Sequence, residues 1–542
     1  MRRLAHSVLV IGALFVTALF VTSCGDPSGD DANAPDDELV LADSFEPEGF
    51  NPIGGHGEDG SSKIYDGLLR LTADADGTPA LEPALAADMP EVNDDATEWT
   101  VRLRDDVRFH DDSRFDADDV VATFEAVLDP EYASPLATAY AMLDEVEKVD
   151  EHTVRFHLAS PYAAFDTRML LGIAPEEALD DPVPVEESAL NTEPIGTGPY
   201  ELAEWRRGEQ VVLEANDDYW GGAPEVRRLT VAIAPDDNTR AQRMQAGDFD
   251  GAWLPPKLAE TFDEVDGVDV VTYPSADWRG VTMPSGHPVT GDRDIREALN
   301  LAVDRESMID AVLAGYGVPA YTPIPEVFGE YHDPGAVFEH DPEAARRLLD
   351  EAGWTEGDDG VREKDGVRAE FTLMYFPDET IRRDLGQAFV SDARGIGIEV
   401  SLEAVDRTEF RPRIPDDAGM LGGGEFPFDP DPQVYTALHS QYADYDETNP
   451  FLNPSAYRND AVDDALDRGR NSVDDERRVE SYREVQQEYV DDPAYVMLAF
   501  LDHTYVMRDR GWAGMRPIVE PHAHGVSWGP WWNVADWHAD DE

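Results

Sequence analysis

The chain has 542 residues, of which 115 are acidic and 42 are basic, so its formal net charge is −73. A phosphate backbone binds clustered cations, and an anionic lipid surface would repel this charge, so neither nucleic acid nor a bare membrane surface is an expected partner. Because the charge is spread along a chain that is 42% hydrophobic, we expect a folded protein with a halophilic, acidic surface. Roughly 500 residues exceed what one core usually supports, which predicts two lobes or more.

The N-terminus has the pattern of an export signal. Arg2 and Arg3 precede an apolar run, 8–20, that is too short to span a bilayer. The sequence VTSC at 21–24 resembles the lipobox of bacterial lipoproteins, in which the cysteine is acylated and becomes the first mature residue. The resemblance implies that Cys24, the only cysteine, carries a lipid anchor. The alternative is an ordinary secretory signal with a chance cysteine.

Beyond the signal, a short acidic segment precedes a long stretch in which strand and helix patterns alternate. The Asp-, Pro- and Gly-rich segment 24–38 predicts a disordered tether. Apolar residues at every second position predict strands, whereas helical spacing with Asp caps predicts helices. Interleaved strands and helices indicate α/β lobes. The predicted strands are 99–104, 154–158 and 397–405, and the predicted helices are 116–128, 341–352 and 379–394.

A series of short segments also carries a family resemblance. The segments include GFNP, IYDGL, a long strand-turn-helix segment, PIGTGPY, NDDYW and REALN, in that order. Together they resemble the family 5 extracellular solute-binding proteins of ABC importers, which include oligopeptide-, dipeptide- and nickel-binding receptors. The segments are 49–52, 64–68, 81–86, 99–120, 194–200, 216–220, 296–305 and 340–354.

The resemblance implies an α/β, two-lobed periplasmic-binding-protein fold of type II, in the large peptide-binding class, with an extra subdomain in the first lobe. Four tryptophans close to the C-terminus, in WGPWWNVADW, are expected to dock that end onto the first lobe. The implied divisions are a signal peptide at 1–23, a tether at 24–38, lobe I at 39–275 with a subdomain at about 75–195, lobe II at 276–500, and a return to lobe I at 501–542.

For function, the resemblance implies a lipid-anchored, monomeric receptor on the extracytoplasmic face, periplasmic or extracellular. Its lobes would close over a solute and deliver it to an ABC permease with separate ATPase subunits. The sequence lacks GxxxxGK[ST] and HExxH motifs, so we expect neither an enzyme nor a cofactor. A secreted hydrolase or chaperone-like protein on the same scaffold is a further hypothesis.

The resemblance also indicates where a peptide would bind. In peptide receptors an acidic residue in the loop that corresponds to 422–433 pairs with the ligand's α-amino group, a charge-assisted bond. The alternative is that these acids belong to the general acidic excess. The candidate ligand-binding residues are Glu425, Phe428, Asp429 and Asp431 in that loop, with Phe50 and Asn51 in the family's first ligand-side loop.

A receptor for nickel or another chelated metal is the alternative to a peptide receptor. The run PFDP at 427–430 resembles a segment of the nickel-type receptors, and His439 lies close to the position of their metal-contacting histidine. His522 and His524 are a second candidate pair, because two imidazoles two residues apart suit Ni²⁺ or Cu²⁺. A surface turn is the alternative explanation for that pair.

Overall fold

The computed structural model describes residues 37–425, 429–447, 449–522 and 525–540. Within these residues, twenty-two strands form one large sheet and four small ones. The strands are β1 Glu38–Asp43, β2 Leu69–Ala73, β3 Pro79–Pro83, β4 Glu91–Val92, β5 Glu98–Arg102, β6 Leu143–Asp150, β7 Thr153–Leu158, β8 Tyr200–Arg206, β9 Gln210–Ala215, β10 Arg228–Ile233, β11 Gly251–Trp253, β12 Val268–Thr282, β13 Gly317–Pro319, β14 Thr355–Glu356, β15 Arg362–Lys364, β16 Val367–Arg368, β17 Glu370–Tyr375, β18 Glu399–Ala404, β19 Ala418–Gly423, β20 Tyr495–Arg508, β21 Trp512–Ala513 and β22 His538–Ala539.

Eleven α-helices are interleaved with these strands, as the sequence pattern predicts. Within the described ranges, none of them is long and apolar enough to cross a membrane. The helices are α1 Ala117–Leu128, α2 Asp237–Ala246, α3 Pro256–Ala259, α4 Arg293–Ala302, α5 Arg305–Leu313, α6 Pro342–Glu351, α7 Thr380–Gly395, α8 Arg407–Arg413, α9 Asp431–Leu438, α10 Asp460–Arg470 and α11 Asp475–Asp491.

The large sheet is built around two long antiparallel strands. Its order is β18-β17-β19-β12-β20-β11-β1-β10-β9-β8, with β13 also paired to β20. The register of β12 against β20 shifts between Pro274 and Trp278. On one side of the shift β20 pairs with β11, and on the other β12 pairs with β19. We call the half with β1 and β8–β11 the first lobe and the half with β17–β19 the second lobe.

A separate antiparallel sheet, β4-β5-β7-β6, belongs to the first lobe, because its buried side chains share one core with β1 and β9. α1 packs on this sheet, with Phe124 edge-on to Phe156 and 4.9 Å between the two ring centroids. The Asp116 side chain accepts a hydrogen bond from the Asp118 N–H, and the Asp119 carboxylate accepts one from the Asp116 N–H at 2.8 Å. The predicted helix start is therefore confirmed as a capping box.

The second lobe has its own core beneath α4–α7. Asp341 caps α6, which begins at Pro342 as predicted. Just after this helix Gly353 has a φ of 89°, the left-handed conformation that favours glycine. The predicted helix at 379–394 is confirmed as α7, and the predicted strand at 397–405 as β18.

The C-terminal tryptophans pack against the first lobe. Trp531 and Trp537 are buried in its core, and a Cβ on Gly251 would approach the Trp531 ring to 2.0 Å, so only glycine fits there. Trp528 packs with side chains of β2 in a smaller cluster. The lobe boundaries at 275/276 and 500/501 stay predictions, since β12 and β20 run through them.

Candidate ligand-binding site

A cavity of about 230 Å³ lies between the two lobes. Its first-lobe wall comes from residues 58–59, residues 135–142 and the 3₁₀ helix Phe165–Leu170. Its second-lobe wall comes from the segment that leaves the carboxyl end of β19 and from α9 and α10. Because β17 and β19 are parallel, this is the sheet edge at which α/β proteins commonly bind ligands.

Arg168 is the cation of the first-lobe wall. Its Nε is buried and has no hydrogen-bond partner among the described residues. The guanidinium lies 5.8 Å from the centroid of the Tyr140 ring, and no described carboxylate forms an ion pair with it. A buried guanidinium nitrogen without a partner is costly. Arg168 is therefore available to a carboxylate that enters the cavity.

Glu58 and Glu425 face the same cavity from opposite lobes. Both residues are exposed to solvent, and both line the cavity. Desolvation by the cavity walls, aided by the charge of Glu425 and opposed by Arg168, raises the pKa of Glu58 to about 8. Burial likewise raises the pKa of Glu425 to about 7, with Arg168 lowering it and Asp59 raising it. Both carboxylates would be stabilised by a cation.

Asp59 is the second acid on the first-lobe side of the cavity. Its Oδ1 accepts hydrogen bonds from the Ser61 N–H at 3.0 Å and the Ser61 hydroxyl at 2.5 Å. Burial raises the pKa of Asp59, and the bonds from Ser61 oppose that shift. The turn therefore fixes the direction of this carboxylate relative to Glu58.

The other two candidate acids of the loop are paired with arginines of the second lobe. Asp429 lines the cavity and accepts a hydrogen bond from Arg478. Asp431 is fully buried, and Arg470 donates to both of its oxygens at 2.6 and 2.9 Å. Burial acts to raise the pKa of Asp431, but Arg470 outweighs it and the net shift is downward. These pairs fix the second-lobe wall.

Phe50 and Asn51 are buried beneath the loop that leads to Glu58. Phe50 stands edge-on to His56 and to Trp205, with 5.0 Å between ring centroids in both pairs. The Asn51 side chain accepts a hydrogen bond from the Ile53 N–H at 3.2 Å and so caps a 3₁₀ turn. Both side chains are placed to support the loop, and neither is among the described residues that line the cavity.

His439 and His522, the candidate histidines that the structure describes, are not among the described residues that line the cavity. His439 stacks on Tyr435 with 4.8 Å between ring centroids, and the His522 Nδ1 lies 2.5 Å from Asp277 Oδ1. In the described part of the chain, no group of three or more His, Cys, Asp or Glu is arranged to hold a metal ion. Phe428, His524 and Cys24 lie outside the described residues, so their predicted roles stay predictions.

The sequence patterns did not indicate Arg168, Glu58 or Asp59 as ligand-binding residues. Arg168 is the only arginine or lysine between Arg155 and Arg206, and it directly precedes the apolar run 169–174. This isolated position could have identified Arg168 as a candidate from the sequence. Glu58 and Asp59 carried none, because acids are frequent throughout this chain.

The chain matches the family model described as bacterial extracellular solute-binding proteins, family 5 Middle, over residues 80–445. It is 42% identical over 512 residues to Protein XP55 of Streptomyces lividans, covering 93% of this chain and 92% of that protein. NikZ from Campylobacter jejuni, solved in complex with Ni(L-His), superposes with a TM-score of 0.85 at 28% identity, covering 93% of this chain and 99% of that one. The oligopeptide-binding protein AppA from Bacillus subtilis, solved with a nonapeptide, gives a TM-score of 0.80 at 26% identity, covering 94% and 99%.

Proposed function

The chain belongs to the family 5 bacterial extracellular solute-binding proteins, and on that premise we propose that it captures di- and oligopeptides between its lobes and delivers them to an ABC importer. Members of this family are extracytoplasmic solute receptors that work with ABC permeases. The chain has the family's fold, the two-lobed type II periplasmic-binding fold that the sequence resemblance implied.

The observation that carries the peptide proposal is the set of unmatched charges in the cavity. Arg168 has a buried donor without a partner, and Glu425 and Glu58 face it without a hydrogen-bond or ion-pair partner among the described side chains. A peptide brings both complementary groups, a carboxylate for Arg168 and an ammonium for Glu425. Such charge-assisted bonds strengthen when closing lobes remove water.

A receptor for a chelated metal is the second candidate, and it is supported by the likeness to NikZ in complex with Ni(L-His). Arg168 would then bind a carboxylate of the chelator, while Glu425 and Glu58 would face an amine. The two candidates share Arg168 and differ in what accompanies the carboxylate. Native mass spectrometry of the purified protein distinguishes them, because a co-purified ligand adds either a peptide mass or the mass and isotope pattern of a metal complex.

Calorimetry with dipeptides in high salt, which suits the acidic surface, tests the peptide proposal directly. Affinity should rise from pH 6 to about pH 7.5, because the raised pKa values of Glu425, about 7, and Glu58, about 8, leave both carboxylates largely protonated at pH 6. Above about pH 8 affinity should fall as the ligand's own α-amino group loses its proton. Arg168 and Asp59 are the other charged groups that face Glu425. Binding of a nickel chelate but of no peptide would refute the proposal.

We also propose that Cys24 anchors the receptor to the extracytoplasmic face of the membrane through its lipid. The support is the lipobox resemblance of VTSC and the export signal before it; two acyl chains suffice for stable anchoring, whereas one does not. Cys24→Ala should move the protein from the membrane fraction to the soluble fraction in cell fractionation. Ser28→Ala is the matched control and should stay with the membrane. Retention of Cys24→Ala in the membrane would contradict the anchor.

A further inference from the structure

The protein itself leaves part of the charge on the cavity walls unmatched. Six charged side chains among the described residues line the cavity, four of them acids and two of them arginines. Arg470 is neutralised by Asp431, and Asp429 by Arg478, so both of these pairs are balanced within the second lobe. The charged lining residues that remain are Glu58, Asp59, Arg168 and Glu425.

Three lining acids therefore face one lining arginine. Lys63, outside the lining, also acts on Asp59, so the acids exceed the nearby cations by one negative charge when all are ionised. Their mutual repulsion is visible in Glu58, whose pKa is raised by burial and then by the charge of Glu425. A peptide with uncharged side chains brings one ammonium and one carboxylate, and so leaves this excess in place. Enclosing unpaired charge between closed lobes is costly. A ligand with an additional positive charge removes that cost.

Building on the peptide function above, we propose that the preferred ligand is a short peptide that carries a lysine or arginine side chain in addition to its free N-terminus. Glu425 receives the N-terminal ammonium, Arg168 receives the carboxylate, and Glu58 with Asp59 receives the basic side chain. The Asp59 carboxylate is already oriented by Ser61, whereas Glu58 is unpaired among the described residues.

The size of the cavity sets the length of this ligand. Its volume of about 230 Å³ is smaller than the roughly 300–1,000 Å³ of pockets that enclose drug-sized molecules. A peptide of about two or three residues is smaller than such molecules and suits a cavity of this size.

Calorimetry with matched dipeptides tests the proposal. Ala-Lys, Ala-norleucine and Ala-Glu share a backbone, and norleucine is the lysine side chain without its ammonium. Ala-Lys should bind at least about 10-fold more tightly than Ala-norleucine, and Ala-Glu most weakly, as expected for desolvated charge pairs. In Glu58→Gln the preference for Ala-Lys should fall to about threefold or less. In Glu425→Gln both peptides should weaken by similar factors, because both have the same N-terminus.

Glu264→Gln, at an exposed first-lobe acid outside the cavity lining, is the matched control and should leave all three affinities unchanged. Equal or tighter binding of Ala-norleucine by the wild-type protein would overturn the basic-peptide preference and leave the peptide function standing. Failure of every peptide to bind would overturn the peptide function and this inference with it. The wild-type comparison does not depend on the folding of any variant.

Discussion

Replacing Glu520 with Gln should lower the free energy of unfolding by about 3–5 kcal/mol, because it leaves a buried cation without one of its partners. Glu520 is fully buried and accepts hydrogen bonds from His503 Nδ1 at 2.5 Å, the Tyr505 hydroxyl at 2.8 Å and the Gly529 N–H at 2.7 Å. On the other side of the imidazole, His503 Nε2 lies 3.1 Å from Asp277 Oδ2. His503 thus bridges two buried carboxylates.

This network lies where the two long strands pass from one lobe to the other. The Ala276 N–H, in the shifted part of β12, donates to the Glu520 carbonyl at 2.8 Å, and the Glu520 N–H donates to the Pro274 carbonyl at 3.0 Å. Glu520 therefore ties the C-terminal segment to the crossing strand through its backbone and to β20 through its side chain. Loss of its charge should destabilise both lobes together.

Chemical denaturation at fixed high salt measures this effect. The matched control is Glu147→Gln, at a half-exposed glutamate that lies 3.2 Å from His157 Nε2 on the surface of the first lobe. An exposed pair of this kind contributes about 0–1 kcal/mol. If the two variants lost the same stability, the buried network would have no special role.

The pH dependence of stability gives a second measure of the same network. Burial lowers the pKa of His503, but hydrogen bonds to Asp277 and Glu520 outweigh it and raise the pKa to about 9. The unfolded chain has a histidine pKa of about 6.5. Since the folded pKa is the higher one, the stabilisation is complete below about pH 6.5 and is lost as pH rises to about 9. The gap between wild type and Glu520→Gln should narrow over that range.

Replacing Arg168 with Met should weaken peptide binding about 30- to 100-fold, because the variant keeps the apolar stem and loses the only unmatched cation in the described lining of the cavity. This factor corresponds to about 2–3 kcal/mol, typical of removing one partner from a desolvated charge pair. Calorimetry at pH 7.5 measures it. The thermal unfolding midpoint should not fall, since the buried Nε has no partner to lose among the described residues.

A change of ligand separates a direct contact from an indirect one. A dipeptide with a C-terminal amide lacks the carboxylate, so wild type should bind the amide less tightly than the acid, whereas Arg168→Met should bind both alike. Arg155→Met, at an arginine that pairs with Glu147 on the surface, serves as the control and should bind as wild type does. Equal affinity of the wild type for acid and amide would show that Arg168 does not bind the carboxylate.

Elements with strong local signals were predictable from the sequence. The alternation at 154–158 became β7, and the cap at Asp116 became the start of α1, because backbone hydrogen bonding and side-chain periodicity act over a few residues. The acidic loop after β19 was found only in part. Glu425, Asp429 and Asp431 lie close together in the sequence. In the fold, Asp431 forms an ion pair with Arg470, whereas Glu425 faces the cavity.

The family and the α/β class could be predicted from the sequence alone, since they follow from short motifs and local patterns; the export signal stays a prediction. Only the tertiary structure decided which charges meet in the cavity and which are cancelled. Arg168 and Glu425 come from opposite lobes, and His503 and Asp277 from different strands. Their roles depend on burial and on partners that are distant in the chain, and no local pattern encodes either quantity.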